Sequence, residues 1–408
     1  MTNITWAPHI PLIGGFPLGA EKAFGSPPSV VYSYDGFQGN DIHYVNYQQN
    51  VLGRSDIEYI PIVSSPAAEI RHKVDVVVGT PPCAALSQLN TGTTPESKGA
   101  GCQKNEWMYR VFEDAIDHMG AKVVVNENAP ALFTNKGDAV ANKLFDICRE
   151  RGYSLSLYKT STSYHGIPQN RDRCFAVGWK SETAPIMGWY KRPFTKLGEY
   201  LEEVPHDAVQ HDVVINPKIE DEPYWNFLRT KTNEDIRDLI KNYGCVTTFH
   251  YVQRNGLLEE AAQWFEATGN VKGAKYARHA QKKFADGKGI WDGSIHVFGD
   301  TMNAVIGRNM MDSIHPKHDR SLTMREALHL MGFPHDFEVL GGRAKVNMIA
   351  QNVPTCTARD VCIEIKKFLN GELQFSDTNF LRQNNHNEKM WADPRGTVNA
   401  SNLEDFFV

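Results

Sequence analysis

The stretch Val74-Asp75-Val76-Val77-Val78-Gly79-Thr80-Pro81-Pro82-Cys83-Ala84-Ala85-Leu86-Ser87 decides how the rest of the chain is read. Val74 to Val78 is too short and too uniformly apolar for an amphipathic surface helix. It predicts a strand buried on both faces of a parallel sheet. Pro81 and Pro82 end that strand and hold the following backbone in a fixed, extended path. Cys83 then emerges just past the carboxyl end of a central strand, where open α/β sheets place their ligands. A nucleophile that must attack along one direction suits a rigid loop of this kind. A lone cysteine in a turn is also commonly an inert small hydrophobe. The segments around it have to decide between the two.

The bulk properties set the frame. A chain of 408 residues buries a large core and predicts two domains. Its 41% hydrophobic and 22% charged residues are ordinary for a globular protein. The formal net charge of -5 excludes a surface covered in positive charge, so a nucleic-acid contact has to be a local patch. Seven cysteines without CxxC or His/Cys ligand spacing, and no signal peptide, predict reduced thiols, no metal centre and a cytoplasmic protein. No apolar stretch is long enough to span a bilayer.

Taken in order, His9 to Ala23 runs from apolar strand through the Gly14-Gly15 turn into a predicted helix. Ser29 to Asp35 is a second strand that ends in an acid. Strand, glycine turn, helix, strand and acid is the plan of a nucleotide-type site, although no full GxGxxG is present. Asp56, with Ile57, offers another carboxylate at the same sheet edge, or simply a turn residue. Thr91 to Lys104 is polar and Gly-rich, as in an active-site loop. Val123-Val124-Val125-Asn126-Glu127 is another buried strand with a carboxylate at its exit, a costly place for one without a partner or a function. Arg171 and Arg173 lie two apart, so on an extended segment they point the same way. Such a pair suits a phosphate or carbonyl oxygen, or else surface ion pairs.

From about Trp179 to Gly299 the strand-helix alternation gives way to tryptophans, charges and short broken segments, which predicts an inserted second domain. Within it Lys272, Lys275, Arg278, His279, Lys282 and Lys283 mark either a solvated helix face or a phosphate-tracking patch. Regularity returns at Leu322-Thr323, with a Thr cap before a helix that closes at Gly332. A final helix runs to about Leu369. The polar tail beyond it predicts extended or partly disordered chain.

In order and spacing these motifs resemble the cytosine-C5 DNA methyltransferases of bacterial or phage type. The resemblance rests on Pro81-Pro82-Cys83, Glu127-Asn128, Gln169-x-Arg171-x-Arg173, Leu322-Thr323-x-Arg325-Glu326-Ala327 with Gly332-Phe333-Pro334, and Asn352-Val353-Pro354. It implies an α/β fold, with a Rossmann-like, S-adenosylmethionine-dependent domain and a smaller target-recognition domain inserted in it. The expected boundaries are 1–180 and 301–370 for the catalytic domain, 181–300 for the insertion and 371–408 for the tail. The resemblance also implies a role for each site residue. Cys83 adds to C6 of a flipped-out cytosine, Glu127 holds N3 and the exocyclic amine, Arg173 binds O2, and Arg171 supports the site. Nearby positive charge should lower the Cys83 pKa. Ile10, Leu12, Gly14, Gly15, Phe16, Asp35, Asp56, Ile57, Thr80 and Pro82 would line the cofactor site, closed by Ala350, Gln351, Asn352 and Val353. The partner implied is double-stranded DNA, met by a monomer in a bacterial or phage-infected cell, in restriction-modification or phage genome modification.

The sequence departs from the family pattern in three places. Ile10, Leu12 and Gly14 stand where Phe-x-Gly-x-Gly is usual, Ala350-Gln351 replaces Gly-Asn, and Ala84 replaces the Gln after the cysteine. Ordinary S-adenosylmethionine binding, a pocket adapted to carboxy-S-adenosylmethionine with Gln351 donating to the added carboxylate, and lost cofactor binding are the readings these changes allow. The rival functions are an RNA cytosine-C5 methyltransferase and a non-catalytic DNA-binding regulator.

Overall fold

The computed structural model describes residues 3–34, 41–62, 70, 72–87, 94, 96–99, 101–290, 294–306, 310–393 and 395. In chain order the strands are β1 (Trp6–His9), β2 (Val30–Tyr34), β3 (Glu58–Ile62), β4 (Val76–Gly79), β5 (Val123–Asn128) and β6 (Ser154–Ser161), then β7 (Gln169–Asn170), β8 (Asp172–Trp179), β9 (Met302–Asn303), β10 (Phe380–Asn384) and β11 (Lys389–Ala392). Nine of them form one sheet in the order β11-β10-β6-β8-β5-β4-β1-β2-β3. Strands β1 to β5 pair in parallel, and β10 is parallel to β6. β8 is antiparallel to both β5 and β6, and β11 is antiparallel to β10. This is a mixed α/β fold of Rossmann-like type with a large parallel sheet.

The valine run of β4 is explained by burial on both sides. Val77 packs with Val124, Phe112 and Leu144 on one face, while Val76 and Val78 pack with Trp6, Val123, Val125 and Phe175 on the other. Alternating side chains that all meet apolar neighbours produce a continuous apolar strand. The helix Gly15–Phe24 lies against the last helix, Thr355–Leu369. The approach is close because Gly19 has no side chain: a Cβ there would come within 2.5 Å of the Ala358 Cβ.

The chain divides into two compact units. The first comprises residues 1–194, 331–340 and 351–408, and the second 195–330 and 341–350. The division differs from the expected boundaries for reasons visible in the hydrogen bonds. Residues 181–194 stay with the sheet unit because Ala184 N donates to Thr378 O (2.7 Å), Met187 N to Gln383 Oε1 (2.8 Å) and Gly188 N to Glu364 Oε2 (2.7 Å). Residues 301–330 join the second unit, where Ile215 N donates to Leu322 O (2.9 Å) and Met324 N to Val213 O (2.8 Å). In the tail, where the polar composition suggested extended or partly disordered chain, Phe380–Asn384 is an extended strand that pairs with β6 and continues the sheet. The polar side chain of Arg382 is satisfied there by Asp393 (2.7 Å), Asp138 (2.8 Å) and the Phe133 carbonyl (2.7 Å).

The second unit has a helical core. Trp225, Phe227, Phe249, Val252 and Phe265, from helices between Pro223 and Ala267, pack with Ala274, Ala277 and Ala280 of the helix Val271–Ala285. Its helix Met324–His329 begins with the expected cap. Thr323 Oγ1 accepts from the Glu326 N–H (3.1 Å), and Glu326 Oε2 accepts from the Thr323 N–H (2.8 Å), a capping box.

Candidate active site

Cys83 stands four residues beyond the last residue of β4, at the carboxyl edge of the parallel strands. Its carbonyl accepts from Leu86 N (3.1 Å), which folds the loop into a turn. The side chain is half-buried and packs against the edge of the core that holds Val77 and Phe112. On the neighbouring strand Asn126 is paired with Gly79, so Glu127 lies one step further toward the same edge. β8 enters from that edge because it runs against β5, and Arg173 therefore arrives beside Glu127. Arg173 Nε lies 2.5 Å from Glu127 Oε1.

Glu127 is 2% exposed, and its Oε1 makes this ionic contact in a buried setting. Burial raises the Glu127 carboxyl above its ordinary value, against the opposing pull of Arg173 and Arg171. Arg171 is fully buried, and its Nη2 donates to the Asn352 carbonyl (2.8 Å). Burial, then repulsion from Arg173, bring it down to about 9, so it remains cationic at neutral pH. The four residues Cys83, Glu127, Arg171 and Arg173 thus form one electrostatic cluster.

One expectation about this cluster is corrected. The Cys83 thiol is raised rather than lowered: burial comes first, then the charge of Glu127, and together they outweigh Arg173 and Arg171. The thiolate is therefore scarcer at neutral pH than on a free cysteine. Alkylation of Cys83 by iodoacetamide, followed by peptide mass spectrometry, is expected to rise with pH through a midpoint above the ordinary thiol value. A midpoint at or below the ordinary value would contradict this account.

At the expected cofactor site the backbone is distinctive. Ile10 (φ 55°) and Leu12 (φ 52°) both adopt the left-handed conformation that favours glycine. Leu12 thus keeps the backbone form of a glycine while carrying a buried side chain. Ile10 N donates to Tyr32 O (3.1 Å), and Thr80 N to His9 O (3.3 Å), which lash the turn to its neighbouring strands. Gly14 has φ 108°, and a Cβ there would lie 2.5 Å from the Tyr44 ring. A Cβ on Gly15 would lie 2.1 Å from the Val353 carbonyl oxygen, and Gly15 N donates to Asn352 Oδ1 (3.2 Å). Gly15→Ala is expected to destabilise the fold by about 1–3 kcal/mol, the usual range for overpacking, read as a lowered melting temperature.

Two glycines without room for side chains let the turn pack directly against the Tyr44 ring and the Val353 carbonyl, with the Gly14 N–H on Pro11 O (2.9 Å) and the Gly15 N–H on Asn352. Pro82 is half-buried beside Cys83, Val353 is buried, and Gln351 is exposed. Ala350 belongs to the second compact unit. Asp35 lies outside the described residues, as do residues 91–93, 95 and 100 of the loop expected over Thr91–Lys104.

Two further expectations fail. Asp56 and Ile57 precede β3, whose residue Glu58 is paired with Val30, the first residue of β2. They therefore sit at the amino edge of the sheet, across its height from Cys83, with Asp56 exposed. Phe16 is 1% exposed and packs edge-on against Phe175, 5.8 Å between centroids, as part of the core with Val76 and Val78. It supports the sheet rather than lining a site. Tyr44, which confines Gly14, was not anticipated. It sits on the short helix Ile42–Asn46, thirty residues along the chain, and nothing local in the sequence marks it.

Residues 12–367 match the family of C-5 cytosine-specific DNA methylases. The chain belongs to that family, and so to the DNA (cytosine-5-)-methyltransferase type of enzyme. It is similar to the type II methyltransferase M1.HphI of Haemophilus parahaemolyticus, 24% identical over 369 residues that cover 88% of this chain and 86% of that one. It is also similar to the type II methyltransferase M.Bpa9945I of Bacillus paralicheniformis, 23% identical over 326 residues that cover 73% of this chain and 71% of that one. In structure it is similar to the Entamoeba histolytica methyltransferase EhMeth, with a TM-score of 0.54, 11% identity, and coverage of 90% of this chain and 99% of that one. The Dnmt2 methyltransferase of S. pombe gives a TM-score of 0.50, 10% identity and the same coverage. At such identities the structural likeness shows the fold alone. Among the described residues no helix is long and apolar enough to cross a membrane.

Proposed function

We propose that this protein methylates C5 of a cytosine flipped out of double-stranded DNA, through a covalent bond between Cys83 and C6. The observation that carries the reading is the cluster at the carboxyl edge of β4 and β5. A half-buried cysteine there feels a buried carboxylate, 2.5 Å from Arg173, together with two arginines. Cytosine offers an exocyclic amine that donates and an N3 that accepts, and a carboxyl group raised by burial can meet both.

The Cys83 thiolate attacks C6, and the electron pair of the C5–C6 double bond moves to C5. Glu127, donating to N3 and accepting from the amine, draws electrons from the ring as the sulfur adds. Arg173, held by Glu127, faces the ring O2, and Arg171 steadies the cluster from beneath. Loss of the C5 proton later returns its electron pair to the ring and expels Cys83 as thiolate. S-adenosylmethionine, when bound, supplies the electrophilic methyl group. Ile10, Leu12, Gly14, Gly15, Thr80, Pro82, Asn352 and Val353 would hold it. The target carbon is inaccessible in a stacked duplex, which is why the base must leave the stack. The second compact unit, residues 195–330 and 341–350, would serve target recognition.

The test is mass spectrometry of nucleosides from unmethylated DNA incubated with the protein and either S-adenosylmethionine or carboxy-S-adenosylmethionine. The expected product is 5-methylcytosine, from the first cofactor only. Methylated RNA cytosine with unmodified DNA would overturn the substrate, and 5-carboxymethylcytosine the cofactor.

A further inference from the structure

We propose that Asn352 is a positioning residue that ties the base-site arginine to the glycine turn of the cofactor site, so that one side chain sets the geometry of both. The inference rests on the methyltransferase reading and assigns Asn352 a role beyond closing the cofactor site. Asn352 is 1% exposed. Its side-chain Oδ1 accepts from Gly15 N–H (3.2 Å), while its main-chain carbonyl accepts from Arg171 Nη2 (2.8 Å). These contacts join segments 337 and 181 residues apart in sequence. The Val353 carbonyl oxygen occupies the space where a Cβ on Gly15 would stand, so the turn and residues 352–353 meet without slack. Beyond Val353 the chain enters Pro354 and the helix Thr355–Leu369, packed closely on Gly19, so that this side of the junction is rigid as well.

The arrangement makes a clear division of labour. Arg171 donates to the main-chain carbonyl of Asn352, so its position depends on where that carbonyl is held, and the Oδ1–Gly15 bond helps hold it against the turn. Removing the acceptor at 352 should release both neighbours at once: the turn that would carry the cofactor, and the guanidinium whose charge acts on Glu127 and Cys83.

The test compares Asn352→Leu, which keeps the γ-branched arrangement of four heavy atoms without the acceptor, with Asn352→Asp, which keeps an acceptor. Two readouts are taken on the full chain. One is the steady-state kinetics of methyl transfer from S-adenosylmethionine to unmethylated plasmid DNA. The other uses no cofactor: release of tritium from [5-3H]cytosine in the same DNA. In that reaction Cys83 adds to C6, C5 takes a proton from water and gives up its triton to water, and elimination restores the thiolate. Asn352→Leu is expected to raise the cofactor KM and to slow cofactor-free exchange, each by roughly tenfold, and Asn352→Asp to stay within about threefold of the native protein in both.

If exchange is unchanged in Asn352→Leu while KM rises, Asn352 serves only the cofactor turn and the proposal fails. It fails equally if Leu performs as Asn does, or if Asp is as impaired as Leu. Should Asn352→Leu melt below the assay temperature, Asn352→Ala is read with the same expectations. A native protein that forms no 5-methylcytosine and exchanges no tritium would overturn the methyltransferase reading itself, and this inference with it.

Discussion

Cys83→Ala is expected to leave a folded protein that forms no adduct and transfers no methyl group. The loss should be at least about 10^4-fold in kcat, the scale on which removal of a covalent nucleophile acts. Two measurements check it. Labelled methyl incorporation into unmethylated DNA should fall to background. A denaturation-resistant complex with DNA containing 5-fluorocytosine, formed by the native protein in the presence of cofactor, should be absent from the variant. The fold should tolerate the change, since Cys83 is only half-buried and packs at the edge of the core. Alanine keeps the Cβ and the loop backbone, so the expected destabilisation is within about 1 kcal/mol. A variant that still methylated DNA at even a hundredth of the native rate would remove Cys83 from the chemistry and leave it the inert turn residue that its sequence alone also allows.

How much of this was legible in the sequence depends on whether the physics was local. The Cys83 loop was readable because everything that defines it lies within ten residues: β-branched side chains that fill both faces of a strand, then two prolines that stop it. The Thr323 cap was readable for the same reason, since a capping box is closed within three residues. Glu127 and Arg173 were recognisable as candidates, but their pairing was not. It follows from β8 running antiparallel to β5, a choice of sheet order that no local pattern records.

The failures have the same origin. Asp56-Ile57 reads locally like a carboxylate at a strand end, but which end is fixed by register with β2, and Val30↔Glu58 places it at the amino edge. Phe16 follows the glycine turn and so looks like part of the cofactor site. The helical turn carries its ring into the core against Phe175 instead. That the tail adds a strand to the sheet was not legible either, because composition cannot show that Asp138 and Asp393 await Arg382. The pKa of Cys83 required knowing both its burial and its nearest anion. Positive charge nearby was foreseen, and the stronger opposing effects were not.

Glu127→Gln is the second large effect, and its value lies in two readouts that move in opposite directions. The substitution keeps shape and an acceptor but cannot present a carboxylic acid to N3, so kcat should fall by about 10^2–10^3-fold, within the range for loss of a positioned acid or base. The same change removes the negative charge that, second to burial, raises the Cys83 thiol, while Arg171 and Arg173 remain. The pH midpoint for alkylation of Cys83 should therefore move down: the nucleophile becomes more available as the enzyme becomes slower. If Glu127 were only a structural partner of Arg173, the thiol would still shift, but methyl transfer would fall little. Stability adds a third sign. Because burial raises the Glu127 carboxyl in the folded state, its contribution is fully present below the unfolded value and is lost as pH climbs through the folded one. Glutamine does not titrate. The melting temperature of Glu127→Gln should thus depend less steeply on pH above the ordinary carboxylate range than that of the native protein, and an unchanged slope would show that Glu127 is not the buried acid argued for here.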